Sequence, residues 1–72
     1  MELTIGEKVK VLMKRRGMTL AELAEATGQT RQNLSNKMSR DNFTERDAAS
    51  MAAALGCTFT PLFIVEDTGE AL

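Results

Sequence analysis

Two stretches of this sequence carry lysines and arginines but no acids, and the chemistry that such stretches best support is phosphate binding. Residues 8–16 contain five lysines and arginines and no acid, and residues 26–40 contain three and no acid, whereas residues 45–72 carry five acids and one arginine. The net charge is −1, but affinity for phosphate depends on the surface that faces it and not on the total. Taken alone, each basic run fits an ordinary solvated helix face equally well.

The sequence offers little for catalysis or metal binding. It contains no histidine and one cysteine, Cys57, so it lacks the usual base for a nucleophilic thiol and the cysteine–histidine sets that bind zinc. A lone cysteine after an apolar helix end is typical of a buried, inert thiol in a reducing compartment. We therefore expect no enzyme activity, no cofactor and no metal, and a domain this small has little room for a small-molecule ligand.

The 72 residues are enough for one small domain, which at this size needs well-capped helices or oligomerisation for stability. Residues 1–10 lack the apolar stretch of a signal peptide. No apolar run approaches the roughly 20 residues of a membrane span. We expect a cytoplasmic protein without a membrane partner.

Threonines and glycines mark the ends of the predicted helices. Thr4, Thr19 and Thr44 each precede an acid by three residues, which is the capping-box pattern or a close variant of it, and Thr30 offers the cap without the acid. Glycines follow three of the helical patterns, as left-handed C-terminal residues do. Apolar residues at helical spacing complete the pattern and predict a compact all-α fold. The predicted helices cover residues 5–16, 20–27, 31–39 and 45–55.

The strongest local pattern joins the second and third predicted helices, over residues 19–38. Ala24 is small where two steeply crossing helices need room, and Gly28 supplies the positive φ of a sharp turn. Leu23 and Leu34 place a leucine on the inner face of each helix. This spacing predicts a helix-turn-helix.

The stretch TLAELAEATGQTRQNLSNKMSRDNFT, residues 19–44, resembles the phage-repressor-like helix-turn-helix family, also called the XRE or Cro/repressor type. With the flanking helices, the resemblance covers roughly residues 4–56. It implies a four-helix, lambda-repressor-like domain over residues 1–57, with the second motif helix in the major groove of double-stranded DNA. It also implies a transcriptional regulator of a prokaryote or phage, acting as a homodimer on a palindromic operator.

Carried over residue by residue, the resemblance assigns two kinds of DNA contact. Base contacts fall to Thr30, Arg31, Gln32, Ser35 and Asn36. Arginine can donate two hydrogen bonds to guanine, and glutamine or asparagine can bind adenine N6 and N7. Phosphate contacts fall to Thr19, Lys37, Arg40 and Asn42. An ordinary polar helix face is the alternative interpretation, and the absence of acids from residues 26–40 favours DNA.

The sequence departs from the family pattern at three positions. Gln29 and Lys37 stand where the family often has an apolar residue, and the stem of Lys37 can still be buried while its ammonium reaches phosphate. Leu20 stands where the family often has a polar phosphate-binding residue, so that contact is missing. Glu22 and Glu25 are expected to face away from DNA.

The tail has a different composition. Residues 58–65 are rich in β-branched and aromatic residues, which favours a strand that Pro61 confines to an edge. A fifth helical turn capped by Thr60 is the alternative. An exposed strand so apolar would pair promiscuously, so residues 58–66 are expected to form the dimer interface, and residues 67–72 to be frayed. The expected interface residues are Phe59, Leu62, Phe63, Ile64 and Val65.

A second hypothesis keeps the fold and changes the function. The apolar tail and the slightly acidic total charge also suit a protein-interaction module, such as an antitoxin-like partner or an adaptor, because fold alone does not determine function. Replacing Arg31 and Gln32 by alanine would abolish the activity of a DNA-reading regulator and spare that of an interaction module.

Overall fold

A computed structural model describes residues 3–72 of the chain. The described part contains four helices, and their bounds agree with the predicted ones to within one residue at each end. The predicted all-α architecture is confirmed. The helices are α1 (Ile5–Arg16), α2 (Leu20–Ala26), α3 (Arg31–Arg40) and α4 (Glu45–Ala54).

A threonine caps the start of each helix. The hydroxyls of Thr4, Thr19 and Thr44 accept the N–H of the third helical residue, whose carboxylate in turn accepts the threonine N–H. Thr30 accepts the Asn33 N–H at 3.1 Å without a returning acid. These bonds satisfy donors that the first turn of a helix leaves without partners. They explain why the helix starts could be predicted from the sequence.

The core is small and lies where α2, α3 and α4 meet α1. Leu23, Leu34, Met51 and Leu55 are almost completely buried, and Val9 of α1 packs against them. Burying one leucine or methionine side chain stabilises a fold by about 1.5–3 kcal/mol. A domain with so few fully buried side chains therefore depends strongly on each of them.

The turn between α2 and α3 combines a glycine with side-chain hydrogen bonds. Gly28 has a φ of 72°, a conformation that residues with a Cβ rarely adopt. The Thr27 hydroxyl donates to the Leu23 carbonyl at 2.9 Å, and Gln29 Nε2 donates to the Thr27 hydroxyl at 2.8 Å. Gln29, at a position where the family often has an apolar residue, is thus held by hydrogen bonding. Its buried Oε1 has no partner among the described residues.

Asp41 ends α3 and also holds the start of α1. Its φ of 50° makes it the one non-glycine residue with a positive φ within residues 3–72. Its carboxylate accepts the Gly6 N–H at 2.7 Å, satisfying one of the free donors of the first turn of α1. A Cβ on Gly6 would lie 2.8 Å from the same oxygen, so a glycine at this position allows the two segments to approach.

Two further polar contacts tie α4 to the other helices. Lys37 Nζ lies 3.0 Å from Asp47 Oδ1, and Arg16 Nε donates to the Leu55 carbonyl at 3.0 Å. The Thr44 N–H and, secondly, the Lys37 ammonium stabilise the Asp47 carboxylate, which lowers its pKa from the ordinary value. The first turn of α4 is therefore fixed to the last turns of α3.

The tail after α4 is extended and folds back on itself. Residues 58–65 contain neither a helical turn nor a regular strand, so neither the expected edge strand nor its alternative, a fifth helical turn, is formed. Ile64 forms an isolated antiparallel bridge with Ala71, and the backbone groups of Phe63 and Leu72 exchange hydrogen bonds of 2.7 and 2.8 Å. Where the sequence led us to expect a frayed terminus over residues 67–72, the last three residues pair with residues 63–65.

The Asp41 contact leads to a stability prediction. Asp41→Ala removes the acceptor of the Gly6 N–H and places an alanine at a positive φ, so it should lower the free energy of unfolding by about 1–2 kcal/mol. Asp41→Asn keeps an acceptor and tolerates the left-handed backbone, and it should lose less than half as much. Urea unfolding followed by circular dichroism measures both. Equal losses in the two variants would contradict the assigned role of the acceptor.

Asp47 leads to a prediction on pH. Because its pKa is lowered on folding, its stabilising contribution is complete above the ordinary value of 3.8 and is lost as the pH falls through the lower folded value. The stability difference between the wild type and Asp47→Asn should thus be constant from about pH 7 to 5 and shrink from about pH 4 to 2.

Lys37→Met separates the two causes of this shift. The Thr44 N–H is the larger cause and remains in this variant, so Lys37→Met should retain most of the acid-dependent loss that Asp47→Asn removes. Urea unfolding at stepped pH measures all three proteins. If Lys37→Met and Asp47→Asn give the same pH profile, the ion pair and not the cap controls the titration of Asp47.

Candidate nucleic-acid interface

The outer surface of α3 is polar and exposed. Gln32 and Asn36 lie one turn apart and roughly opposite the buried Leu34, as expected for residues four apart on a helix. Gln32 Nε2 donates to Asn36 Oδ1 at 3.1 Å. This bond orients both amides and leaves Gln32 Oε1 and the Asn36 Nδ2 hydrogens to bind a ligand.

The other predicted base-contact residues surround this amide pair. Arg31 is exposed in the first turn of α3, and Thr30 is exposed just before it. The Thr30 oxygen accepts the Asn33 N–H, so its hydroxyl hydrogen is the group left to donate. Ser35 is half-buried at the side of the helix. Four of the five predicted residues therefore have exposed side chains, and Ser35 lies at the margin.

The four residues predicted to contact phosphate differ in their surroundings. Arg40 and Asn42 are exposed at the C-terminal end of α3. Lys37 is half-buried, and its ammonium is paired with Asp47. Both the hydroxyl and the N–H of Thr19 are engaged in its capping box with Glu22. Lys37 and Thr19 thus already have protein partners.

Two acids of α2 follow the predicted phosphate contact Thr19 along the chain. Glu22 and Glu25 are exposed. The Glu22 carboxylate accepts the Thr19 N–H at 2.9 Å, and this backbone hydrogen bond lowers the pKa of Glu22 from its ordinary value. Glu22 is therefore charged at neutral pH, and a phosphate near the start of α2 would meet this charge.

Two grooves border α1. One, of about 450 Å³, lies between α1, the start of α2 and α3 and is lined by Lys10, Met13, Leu20, Ser35, Met38 and Ser39. The other, of about 220 Å³, lies between α1 and α4 and has mostly apolar walls, with Lys8 among its lining residues. Lys10 lies outside the helix-turn-helix and was not among the predicted DNA contacts. The available signal was its place in the acid-free run of residues 8–16.

Other kinds of site have less support in the described chain. Within residues 3–72, no three His, Cys, Asp or Glu side chains are grouped to hold a metal ion. In the same range, no helix has both the length and the apolar character needed to cross a membrane. Cys57 is unpaired and half-buried after α4.

Comparison with known families agrees with the geometry. Residues 8–68 match the sequence profile of the Cro/C1-type HTH DNA-binding domain, which covers most of the chain. No curated protein and no solved structure gave a significant match. The resemblance found in residues 19–44 is thereby confirmed. The chain belongs to the Cro/C1-type HTH DNA-binding domain family and is a DNA-binding regulator of the helix-turn-helix class.

Proposed function

We propose that the protein is a sequence-specific transcriptional regulator that reads DNA with the outer surface of α3 in the major groove. The observation that carries this proposal is an exposed, acid-free helix face bearing Arg31, Gln32 and Asn36 opposite the buried Leu34. A helix about 10–12 Å across fits a major groove about 12 Å wide.

The hydrogen-bonding groups on α3 indicate which bases it reads. Arg31 can donate two parallel bonds to guanine O6 and N7. The pair formed by Gln32 and Asn36 keeps one amide oxygen and free N–H groups, which is the combination that adenine N6 and N7 require. Because the two amides are bonded to each other, they act as one unit on one base position. Thr30 and Ser35 supply shorter contacts at the edges.

The phosphate contacts follow the exposure of the charged groups. Arg40, the last residue of α3, and Asn42, two residues further on, are exposed and position the duplex. Lys37 adds a phosphate contact when its ammonium binds Asp47 and a phosphate at the same time. Thr19 lies at the start of α2, where the Glu22 carboxylate limits its role.

The functional unit we propose is a homodimer on a palindromic operator. Leu62, Phe63 and Ile64 are 59, 82 and 58% exposed, in an extended segment that pairs with residues 70–72 on one edge. A second copy covering this segment would remove the apolar surface from water and pair the free edge. Phe59 and Val65, both half-buried, flank it. Two copies of α3 about 34 Å apart would then read two half-sites.

A protein-interaction module is the second candidate function. The same exposed tail could bind another protein and leave α3 without a role in reading bases. The two candidates differ in what α3 substitutions do, because an interaction module needs neither Arg31 nor Gln32 for its activity.

The amide pair leads to the first test, which is selection of bound duplexes from a random pool. The wild type should enrich one sequence. Gln32→Ala and Asn36→Ala should each relax the same base position by about 1–3 kcal/mol of discrimination. Asn33→Ala is the matched control, because this exposed amide lies to the side of the face. The proposal fails if the pool is not enriched, or if Asn33→Ala relaxes that position as much as the amide pair does.

The tail leads to the second test, which is sedimentation of the free protein. Phe63→Asp should convert a dimer into a monomer at micromolar concentration, because a charge cannot be buried unpaired in an apolar interface. Val11→Asp is the control, since Val11 is an exposed apolar residue of α1 that lies outside the tail. An unchanged sedimentation coefficient for Phe63→Asp, or a monomeric wild type, would contradict dimerisation through the tail.

A further inference from the structure

We propose that the groove between α1 and α3 is a DNA phosphate site, in which the Lys10 ammonium binds one backbone phosphate of the duplex that receives α3. The inference rests on the proposed function and adds to it a contact from outside the helix-turn-helix. Its ligand is a phosphodiester of DNA.

The composition of the groove fits a phosphate. Lys10 from α1 and the two serines Ser35 and Ser39 from α3 line it together with Met13, Leu20 and Met38. An ammonium and hydroxyls are phosphate ligands. No acid is among the residues that line the groove; the nearest acid to Leu20 along α2 is Glu22, whose carboxylate is bonded to the Thr19 N–H. The Leu20 side chain has no hydrogen-bond donor to offer a phosphate. Lys10 is therefore the one charged residue among those that line the groove.

When α3 lies in the major groove, the groove between α1 and α3 should lie next to the phosphate backbone of the DNA. With Leu34 directed to the core and 3.6 residues per turn, Ser35 and Ser39 fall on one side of the outer face, while Lys37 and Arg40 fall on the other. A helix in the major groove has a phosphate backbone along each side. Lys37 and Arg40 therefore bind phosphates of the backbone on one side of the major groove. Lys10 binds a phosphate of the backbone on the opposite side.

The ammonium of Lys10 forms no ion pair with the described residues. Within residues 3–72 the one ion pair is that of Lys37 with Asp47. Glu7, one turn before Lys10, directs its carboxylate to the Thr4 N–H at 2.9 Å. Binding a phosphate through Lys10 therefore breaks no described ion pair, whereas binding one through Lys37 competes with Asp47.

The test compares two lysines of the same helix. Lys8 is two residues from Lys10 and lines the other groove, between α1 and α4, so Lys8→Gln makes the same change of charge away from the proposed site. Binding of the full-length chain to the duplex enriched from the random pool is titrated at several salt concentrations. Lys10→Gln should weaken binding about five- to tenfold at 0.1 M salt and reduce the slope of log K against log salt by about 0.9. Lys8→Gln should change both values little.

A second arm identifies the phosphate. Single phosphates of the duplex are replaced one at a time by the neutral methylphosphonate. At one position the methylphosphonate should weaken binding of the wild type and of Lys10→Arg. The same replacement should leave the affinity of Lys10→Gln, which already lacks the ammonium, unchanged.

The outcomes separate the two proposals. If the wild type enriches no sequence or binds with a flat salt dependence, the proposed function fails. If the wild type binds with a steep salt dependence and Lys10→Gln equals Lys8→Gln, the function stands and the phosphate site is wrong. Urea midpoints of the variants, expected to match the wild type, exclude a loss caused by unfolding.

Discussion

The close crossing of α2 and α3 is the constraint on which the rest of the domain depends. Ala24 is small and buried, and Gly28 turns the chain with a φ of 72°. Together they let Leu23 and Leu34 reach the same core, where both are completely buried. Once Leu34 is directed inward, the helical repeat directs Gln32 and Asn36 outward. The surface that we propose reads DNA is thus a consequence of how α3 is packed.

Polar contacts between distant residues set the orientation of α3 in the domain. Asp41 joins the end of α3 to the first turn of α1, and Asp47 of α4 binds Lys37. The Asp47 carboxylate also accepts the Thr44 N–H at the start of its own helix. The C-terminal end of α3 is therefore tied to both α1 and α4, which sets the position of its outer face relative to Lys10 of α1.

The helices could be predicted from the sequence because their ends are encoded locally. A threonine cap and an acid three residues later are read from four consecutive residues, and all four helix starts agree with the structure. The outer face of α3 was instead assigned through the resemblance to the Cro/repressor family, and four of its five residues have exposed side chains. Cro/C1-type family membership, inferred from the spacing of Ala24, Gly28 and Leu34, is confirmed by the match over residues 8–68.

What the sequence did not reveal depends on contacts between residues far apart in the chain. The bond between Asp41 and Gly6 spans 35 positions, and no local pattern announces it. Lys37 was predicted to contact phosphate, and its ion pair with Asp47 appears only once α4 is placed against α3. The pairing of residues 63–65 with 70–72 was also missed, because the polar residues between them are equally typical of a frayed end.

The location of the DNA interface is the central claim, and backbone amide chemical shifts of the labelled protein test it most directly. On titration with a short duplex, the account predicts that the largest shifts fall on residues 30–36, with α4 little affected. Largest shifts on α4 or on the groove between α1 and α4, with residues 30–36 unchanged, would contradict it.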